Sequence, residues 1–188
     1  TAGQRGADLT RKLLSFSKKK HTHKNIININ QLIASQESIL KKSLTALIDL
    51  KLELNDQLWD VNIDISSFDD MLLNVCINAM QAMPRGGDIT IKTDNIVLAD
   101  NDIENGGLVK GKYVVLSIED SGYGMSSDDK EKIFEPFFTT KRSSGGTGLG
   151  MNIVYNIISQ KLKGKIDINS QVGVGTITTL TIPKVLDN

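Results

Sequence analysis

The segment from Asp120 to Gly150 constrains the fold of this chain most strongly, because it carries three glycine- or phenylalanine-bearing motifs in order. The motifs are DSGYGM, FEPFFTTK and GGTGLG. Glycine permits positive φ and lets other groups approach the backbone closely, as ligand-binding loops require. An upstream helix contributes Asn74 and Asn78. Together these features predict a nucleotide-binding site beneath a mobile lid.

The composition describes one ordinary domain with balanced charge. The chain has 188 residues, 39% of them hydrophobic, which is enough to bury a core. Lysine plus arginine and aspartate plus glutamate both number 22, so we expect neither nucleic acid nor a membrane to be a partner of this fragment. The single cysteine, Cys76, excludes an internal disulfide and fits a reducing cytosol.

The chain shows no targeting or anchoring segment. No apolar run approaches the roughly 20 residues of a membrane span, and the start lacks a signal-peptide pattern. Because the first residue is Thr1, we expect the chain to be an excised fragment. We expect this fragment to be cytoplasmic and its parent to be either soluble or membrane-anchored.

Hydrophobic periodicity predicts an α+β fold. Predicted helices cover residues 1–20, 26–43, 69–83, 128–134 and 147–161. Predicted strands cover residues 47–54, 58–63, 88–99, 113–119, 165–169 and 175–183, and residues 101–111 form a loop. The strands come in blocks, which favours a two-layer α/β sandwich with a mixed sheet, preceded by a short helix. That first helix needs an apolar partner, unless it is a solvated tail.

The helix over residues 69–83 carries a polar stripe on an otherwise apolar surface. Asn74, Asn78 and Gln81 are spaced i, i+4, i+7 and therefore share one face. Buried amides need polar partners. An amide oxygen is a suitable ligand for Mg²⁺, which keeps most of its waters and binds phosphates. The stripe indicates either a magnesium and phosphate site or a solvent-exposed face.

Asp120 ends a predicted strand and begins the DSGYGM motif. A carboxylate there accepts a hydrogen bond from an exocyclic amine such as that of adenine. Gly122 and Gly124 are expected to turn with positive φ and leave room for a flat ring. An ordinary Asp-Gly turn is the alternative.

The GGTGLG motif runs into a helix that is predicted to begin near Thr147. Free amides at a helix N-terminus bind phosphate. Lys141 and Arg142 lie just upstream, where they either reach a triphosphate or remain solvated charges. A glycine-capped flexible loop is the alternative for the motif. Phe134, Phe137 and Phe138 suggest a hinge anchor for the lid or plain core packing.

The order of five motifs resembles the ATP-binding domain of two-component sensor histidine kinases. These motifs are NVCINAMQAM, DSGYGM, FEPFFTTK, GGTGLG and GVGTITTL, and the resemblance covers residues 25–185. FEPFFTTK followed by GTGLG looks particularly like the nitrogen-regulator-like and hybrid kinases. It implies a Bergerat ATP-binding (GHKL) fold over residues 24–188. Residues 1–23 are similar to a remnant of the second helix of the dimerisation and phosphotransfer hairpin plus a linker.

The resemblance also implies roles for individual residues. Asn78 would ligate Mg²⁺, and Asn74, Gln81 and Lys141 would lie at the phosphate end. Asp120 would bind the adenine amine, and Thr176 would support it through water. Asn74, Asn78 and Lys141 form the implied catalytic set. The remaining implied nucleotide contacts are Ala82, Gly122, Gly124, Met125, Gly146, Thr147, Gly148, Leu149 and Gly150.

The histidines His21 and His23 do not match the family's phospho-accepting position, because Thr22 and Lys24 follow them where an acidic residue is usual. We therefore expect the acceptor histidine on a partner hairpin domain, with a response-regulator receiver domain downstream. Alternatives are a GHKL-type ATPase or a degenerate ATP-sensing module. Such ATPases carry a glutamate base one turn before the magnesium asparagine. Asn74 occupies that position, which favours the kinase.

Overall fold

The computed structural model describes residues 24–44, 46–99, 108–142 and 145–185. The helix predicted over residues 1–20 and both histidines lie outside the described residues, as does most of the loop predicted over residues 101–111. Within the described part of the chain, no helix has the length and apolar character required to cross a bilayer.

A mixed five-stranded sheet forms one layer, which confirms the predicted fold class. Its strands are β2 (Ile48–Leu54), β4 (Gly87–Leu98), β5 (Gly111–Asp120), β6 (Lys165–Gln171) and β7 (Gly175–Pro183). They lie in the order β2-β4-β5-β7-β6. β2 pairs in parallel with β4, and the other neighbours are antiparallel.

A separate antiparallel pair joins β1 (Lys24–Ile27) to β3 (Val61–Asp64). The prediction of a helix from residue 26 was wrong at its start. β1 occupies that stretch, and α1 (Ile29–Ser43) begins only after Asn28, whose side chain accepts a hydrogen bond of 2.9 Å from the Asn30 amide. β3 likewise begins at Val61, not at residue 58, because its extent is set by pairing with β1.

The second long helix, α2 (Ile65–Ala82), starts four residues before the predicted position. Asp64 caps it by accepting a hydrogen bond of 2.8 Å from the Ser67 amide. The short helix α3 spans Ser127–Lys132. α4 spans Gly150–Tyr155 and continues as one π-helical segment, Asn156–Lys161.

The helices pack on one face of the sheet, and the other face is polar. Along β5, Val114, Leu116 and Ile118 point into the core by the two-residue strand period. On the opposite face, Lys92 pairs with Glu53 and Glu119, each at 3.3 Å. The largest fully buried side chains are Phe68, Ile29, Ile33, Leu40, Ile63, Met71, Leu72, Ile89, Ile91, Leu116, Ile118 and Ile158. The elements that carry the DSGYGM, FEPFFTTK and GGTGLG motifs therefore pack around a single core.

Candidate functional site

The polar stripe of α2 faces the beginning of α4. Asn74 and Asn78 are half-buried, whereas Gln81 is exposed at the end of the helix. A Cβ placed on Gly150 would lie 3.1 Å from Asn74 Oδ1 and 3.7 Å from Asn78 Nδ2. The structure thus brings the asparagines of α2 against the last glycine of GGTGLG.

Asn74 and Asn78 differ in their hydrogen bonding. Asn74 Nδ2 donates to the Asp70 carbonyl at 2.8 Å, which leaves its Oδ1 on the Gly150 side. The side chain of Asn78 has no hydrogen-bond partner among the described residues. A half-buried amide without a protein partner is suited to bind a ligand, because its polar atoms otherwise lose hydration without compensation.

Asp120 is a partly buried carboxylate at the end of β5. Its Oδ1 accepts a hydrogen bond of 2.9 Å from the Gly122 amide, which fixes the orientation of the group. Burial raises the pKa of Asp120, and the amides of Gly122 and Thr176 and the charge of Lys141 oppose that rise. The result is an oriented acceptor in a partly desolvated place, suited to a neutral N–H donor.

Gly122 and Gly124 are required for different reasons. Gly124 has φ +68°, as predicted, but Gly122 does not adopt positive φ, so that prediction was wrong. Gly122 is needed for space, because a Cβ there would lie 2.6 Å from the Cβ of Ala82 and 2.7 Å from Asp120 Oδ1. The Tyr123 amide also donates to the Ala82 carbonyl at 3.1 Å. The DSGYGM turn is therefore held directly against the end of α2.

The turn between β6 and β7 holds the other side of DSGYGM. The Met125 amide donates to Ser170 Oγ at 2.9 Å, and this buried hydroxyl lies 2.8 Å from Thr176 Oγ1. A Cβ on Gly124 would lie 2.6 Å from the Gln171 carbonyl carbon. Met125 and Thr176, which the sequence predicted as site residues, are linked here by Ser170, which it did not predict and which no local pattern in β6 marks.

The GGTGLG motif is a loop that rests on the FEPFFTTK motif. The helix predicted from Thr147 begins at Gly150, since Gly148 has φ +68° and cannot continue a right-handed helix. The Phe137 amide donates to the Gly148 carbonyl at 2.9 Å, and the Gly146 amide donates to the Lys141 carbonyl at 3.0 Å. Thr147 is half-buried and Leu149 is buried, so the loop is packed along its length.

The Lys141 side chain points to the DSGYGM turn. Its Nζ lies 5.2 Å from the ring centroid of Tyr123, a cation–π distance, and its charge acts on Asp120. Arg142 Nη2 donates to the Phe137 carbonyl at 3.1 Å. Lys141 therefore places a cation beside the candidate site, whereas Arg142 stabilises the loop.

α4 and its π-helical continuation carry a second pair of hydrogen-bonded asparagines that sequence reasoning did not single out. Asn152 Nδ2 donates to the Phe134 carbonyl at 2.9 Å, and Asn156 Nδ2 donates to Asn152 Oδ1 at 3.1 Å. Phe134 packs against the core and lies 5.2 Å from the ring of Tyr155, whereas Phe137 is exposed. Two asparagines at i, i+4 on an apolar helix were the available signal, the same one that identified Asn74 and Asn78.

The donor set fits a metal that is bound mainly by phosphate and water. Among the described residues, no three His, Cys, Asp or Glu side chains lie close enough to hold a metal ion. Asn78 offers one hard oxygen without a protein partner. Mg²⁺ is usually bound through one or two protein ligands plus substrate phosphates, so the site suits Mg²⁺ that arrives with a nucleotide.

Comparisons with known proteins show the family to which the chain belongs. The model of the histidine kinase-, DNA gyrase B- and HSP90-like ATPase family matches residues 63–186. The sensor kinase CckA of Brucella abortus is 39% identical over 97% of this chain and 19% of its own length. The sensor histidine kinase ZraS of Escherichia coli strain K12 is 33% identical over 91% of this chain and 33% of its own length. The chain thus spans one third or less of these two curated relatives.

Solved structures of histidine kinases have the same fold as this chain. The nucleotide-free catalytic domain of the histidine kinase ThkA superposes with a TM-score of 0.70 at 29% identity, covering 86% of this chain and 95% of that domain. ThkA in complex with the response regulator protein TrrA superposes with a TM-score of 0.72 at 26% identity, covering 97% of this chain and 48% of the matched chain.

Proposed function

The chain belongs to the histidine kinase-, DNA gyrase B- and HSP90-like ATPase family, and on that premise we propose that it is the catalytic domain of a two-component sensor histidine kinase. It binds ATP with Mg²⁺ and presents the γ-phosphate to a histidine on the hairpin domain of its parent. The observation that carries this proposal is the contact of Asn74 and Asn78 with Gly150, which unites the polar stripe and the glycine loop.

The adenine end of the site is formed by the DSGYGM turn. Asp120 accepts a hydrogen bond from the exocyclic amine, and the Gly122 amide holds the carboxylate in place for it. Ala82, Gly122, Gly124 and Met125 flank the base. Thr176 supports the base through water, with its hydroxyl positioned by Ser170.

The phosphate end is formed by α2, Lys141 and the GGTGLG loop. Asn78 would hold Mg²⁺, which would neutralise charge on the phosphate oxygens. Asn74, Gln81 and Lys141 line this end, and the loop from Gly146 to Gly150 wraps the phosphates. Positioning and charge neutralisation are the main demands of phosphoryl transfer, so neutral amides and one cation suffice.

The stripe on α2 lacks a general base. Asn74, Asn78 and Gln81 are amides, and none of them removes a proton from water at neutral pH. The nucleophile must therefore come from outside the stripe. An imidazole nitrogen of the partner histidine attacks the γ-phosphorus, the bond to the bridging oxygen breaks, and ADP leaves with that electron pair. This arrangement favours a kinase over a water-activating ATPase.

The remaining partners follow from the same proposal. Residues 24–188 act as the catalytic domain, and residues 1–23 belong to the hairpin and linker. A response-regulator receiver domain accepts the phosphoryl group next, as the ThkA complex with TrrA suggests. A cytoplasmic location belongs to the same proposal, and it is supported by the use of ATP and by the single cysteine, which fits a reducing compartment. The nitrogen-regulator-like or hybrid subclass stays a prediction.

The test compares ATP binding by the wild type, Asn78→Ala and Asn169→Ala with and without Mg²⁺ in a calorimeter. Asn169 is an exposed asparagine of β6 and serves as the matched control. We expect Asn78→Ala to weaken magnesium-dependent binding about 10- to 100-fold, the range for a lost contact to a charged group. Asn169→Ala should bind as the wild type does.

A second measurement on the same samples separates kinase from ATPase. A hairpin domain with its acceptor histidine, taken from the parent or a relative, should gain radiolabel from γ-labelled ATP. Phosphate release without that domain should be very slow. Brisk hydrolysis by the chain alone would show that it activates water and would refute the argument from Asn74. Absence of ATP binding would refute the whole proposal.

A further inference from the structure

A second concave site lies away from the nucleotide motifs. It is a cavity of ≈ 390 Å³ lined by nine residues, four of which are lysines. The lysines are Lys24, Lys161, Lys163 and Lys184. Asn62 adds an amide, the other lining residues are apolar, and none of the described residues that line the cavity is acidic. We call this group the lysine cavity.

The lysine cavity is at the opposite end of the sheet from Asp120. Thr176 pairs with Asp120 at one end of β7, and Pro183 lines the cavity at the other end. At about 3.3 Å per residue, these two ends of β7 lie roughly 23 Å apart. The cavity is therefore distinct from the nucleotide site.

The local excess of positive charge is not a consequence of composition. The whole chain has a formal net charge of zero, with 22 basic and 22 acidic residues. Four lysines elsewhere on the described surface form ion pairs, among them Lys92 with Glu53 and Lys165 with Asp167 at 2.9 Å. By contrast, the Lys163 side chain has no hydrogen-bond or ion-pair partner among the described residues.

The other lysines of the cavity are held in place. Lys24 Nζ donates to the Lys161 carbonyl at 3.3 Å. Lys161 lies near the Asp64 carboxylate: burial opposes the change, but hydrogen bonds from Ser67 and Ser66, together with the charge of Lys161, lower the pKa of Asp64. Lys184 Nζ lies 5.6 Å from the ring centroid of Trp59. Cations gathered at one concave surface repel one another, and a bound anion relieves that repulsion.

The backbone around Lys163 is fixed by its neighbours. Lys163 has φ +58°, an uncommon conformation for a residue with a side chain. The Gly164 amide donates to the Ile158 carbonyl at 2.9 Å, and a Cβ on Gly164 would collide with the Thr181 carbonyl. The two lysines on either side of Leu162 are thus presented from a well-defined turn at the end of the π-helical segment.

We propose that the lysine cavity binds a small anion that carries two or more phosphate charges. Its volume lies within the range of about 300–1,000 Å³ that is usual for small-molecule sites. Lysine binds phosphate as a point charge, and four lysines carry more positive charge than a single monoanion would neutralise. The proposal does not depend on the kinase activity proposed above.

Pyrophosphate is the probe, titrated into the full chain without Mg²⁺ and followed by amide chemical shifts. We expect shifts at Lys161, Leu162, Lys163, Gly164 and Lys184, and weaker binding of orthophosphate. The double variant Lys161→Ala/Lys163→Ala should weaken pyrophosphate binding about tenfold, given roughly 0.2–1 kcal/mol for each exposed ionic contact. Lys161→Arg/Lys163→Arg should retain the affinity, because both charges remain.

The matched control is Lys130→Ala/Lys132→Ala on α3, which removes the same charge at the same spacing. It should change the affinity by less than about twofold, since its lysines lie outside the cavity. Equal weakening by both alanine pairs would reduce the effect to net charge and overturn the proposal. Shifts confined to Gly122, Gly124 and residues 146–150, or no binding by the wild type, would overturn it as well.

Discussion

Replacing Gly148 by alanine should damage the site far more than the same change at Gly145, although both glycines have positive φ. Gly148 has φ +68° and Gly145 has φ +91°. A Cβ on Gly148 would collide with the Phe137 carbonyl carbon and lie 2.6 Å from the Phe138 carbonyl oxygen. A Cβ on Gly145 would meet no atom of the described residues within 4 Å. The pair therefore separates backbone strain from steric conflict.

The expected loss of stability in each variant follows from backbone strain and steric conflict. The left-handed conformation costs about 1–2 kcal/mol for alanine, and both variants carry this cost. The conflict at Gly148 involves backbone atoms, which cannot rotate away, and overpacking of this kind adds about 1–3 kcal/mol. We expect about 1–2 kcal/mol of local destabilisation for Gly145→Ala and about 2–5 kcal/mol for Gly148→Ala.

The assay is ATP binding by calorimetry, with urea denaturation of the same samples at a constant m-value. The GGTGLG loop must leave Phe137 to accept alanine at position 148, so ATP affinity should fall at least tenfold by the conversion of about 1.4 kcal/mol per decade. The ATP affinity of Gly145→Ala should fall much less. Equal losses in the two variants, or wild-type binding by Gly148→Ala, would refute the claim that the loop depends on its contact with Phe137 and Phe138.

Three further predictions concern single side chains. Burial raises the pKa of Asp120 above its ordinary 3.8, so the contribution of this group to stability is complete below pH 3.8 and is lost as the pH rises through the folded pKa. The Tm of Asp120→Asn should therefore exceed that of the wild type by a margin that grows toward neutral pH, while the affinity of the variant for ATP falls. A difference in Tm that does not change with pH would contradict this prediction. Ser170→Ala removes the acceptor of the Met125 amide and should lower the free energy of unfolding, measured by urea denaturation, by about 1–3 kcal/mol. The control Ser35→Ala, at an exposed serine, should change it by less than about 0.5 kcal/mol. Equal changes in the two variants would show that the buried hydroxyl does not stabilise the fold. Burial raises the pKa of the Cys76 thiol to about 12, so a disulfide reagent at pH 8 should label it only in concentrated guanidinium, and rapid labelling of the native chain would show that the thiol is accessible.

Much of the site was predictable because its signals are local. The helical period places Asn74, Asn78 and Gln81 on one face regardless of what lies opposite. Gly124 and Gly148 adopt the positive φ that glycine alone tolerates well, and both belong to recognisable motifs. Asp120 ends a strand whose alternating pattern is visible in the sequence.

Other features escaped prediction because they depend on residues that are distant in the chain. The last two residues of β1 were assigned to a helix, since four residues do not reveal that they pair with β3. Ser170 looks like any strand serine until the Met125 amide is placed beside it, 2.9 Å away. The lysine cavity gathers its four lysines from three separate segments of the chain, which no local window contains.

The sequence by itself determined the family, the fold class and the order of the nucleotide motifs, because periodicity and glycine spacing are properties of neighbouring residues. Only the tertiary structure decided why Gly122 must be small, what faces Asn78, and where the α4 helix begins. Each of these depends on close contact between α2, the DSGYGM turn and the GGTGLG loop, and such contacts are created by packing around a shared core.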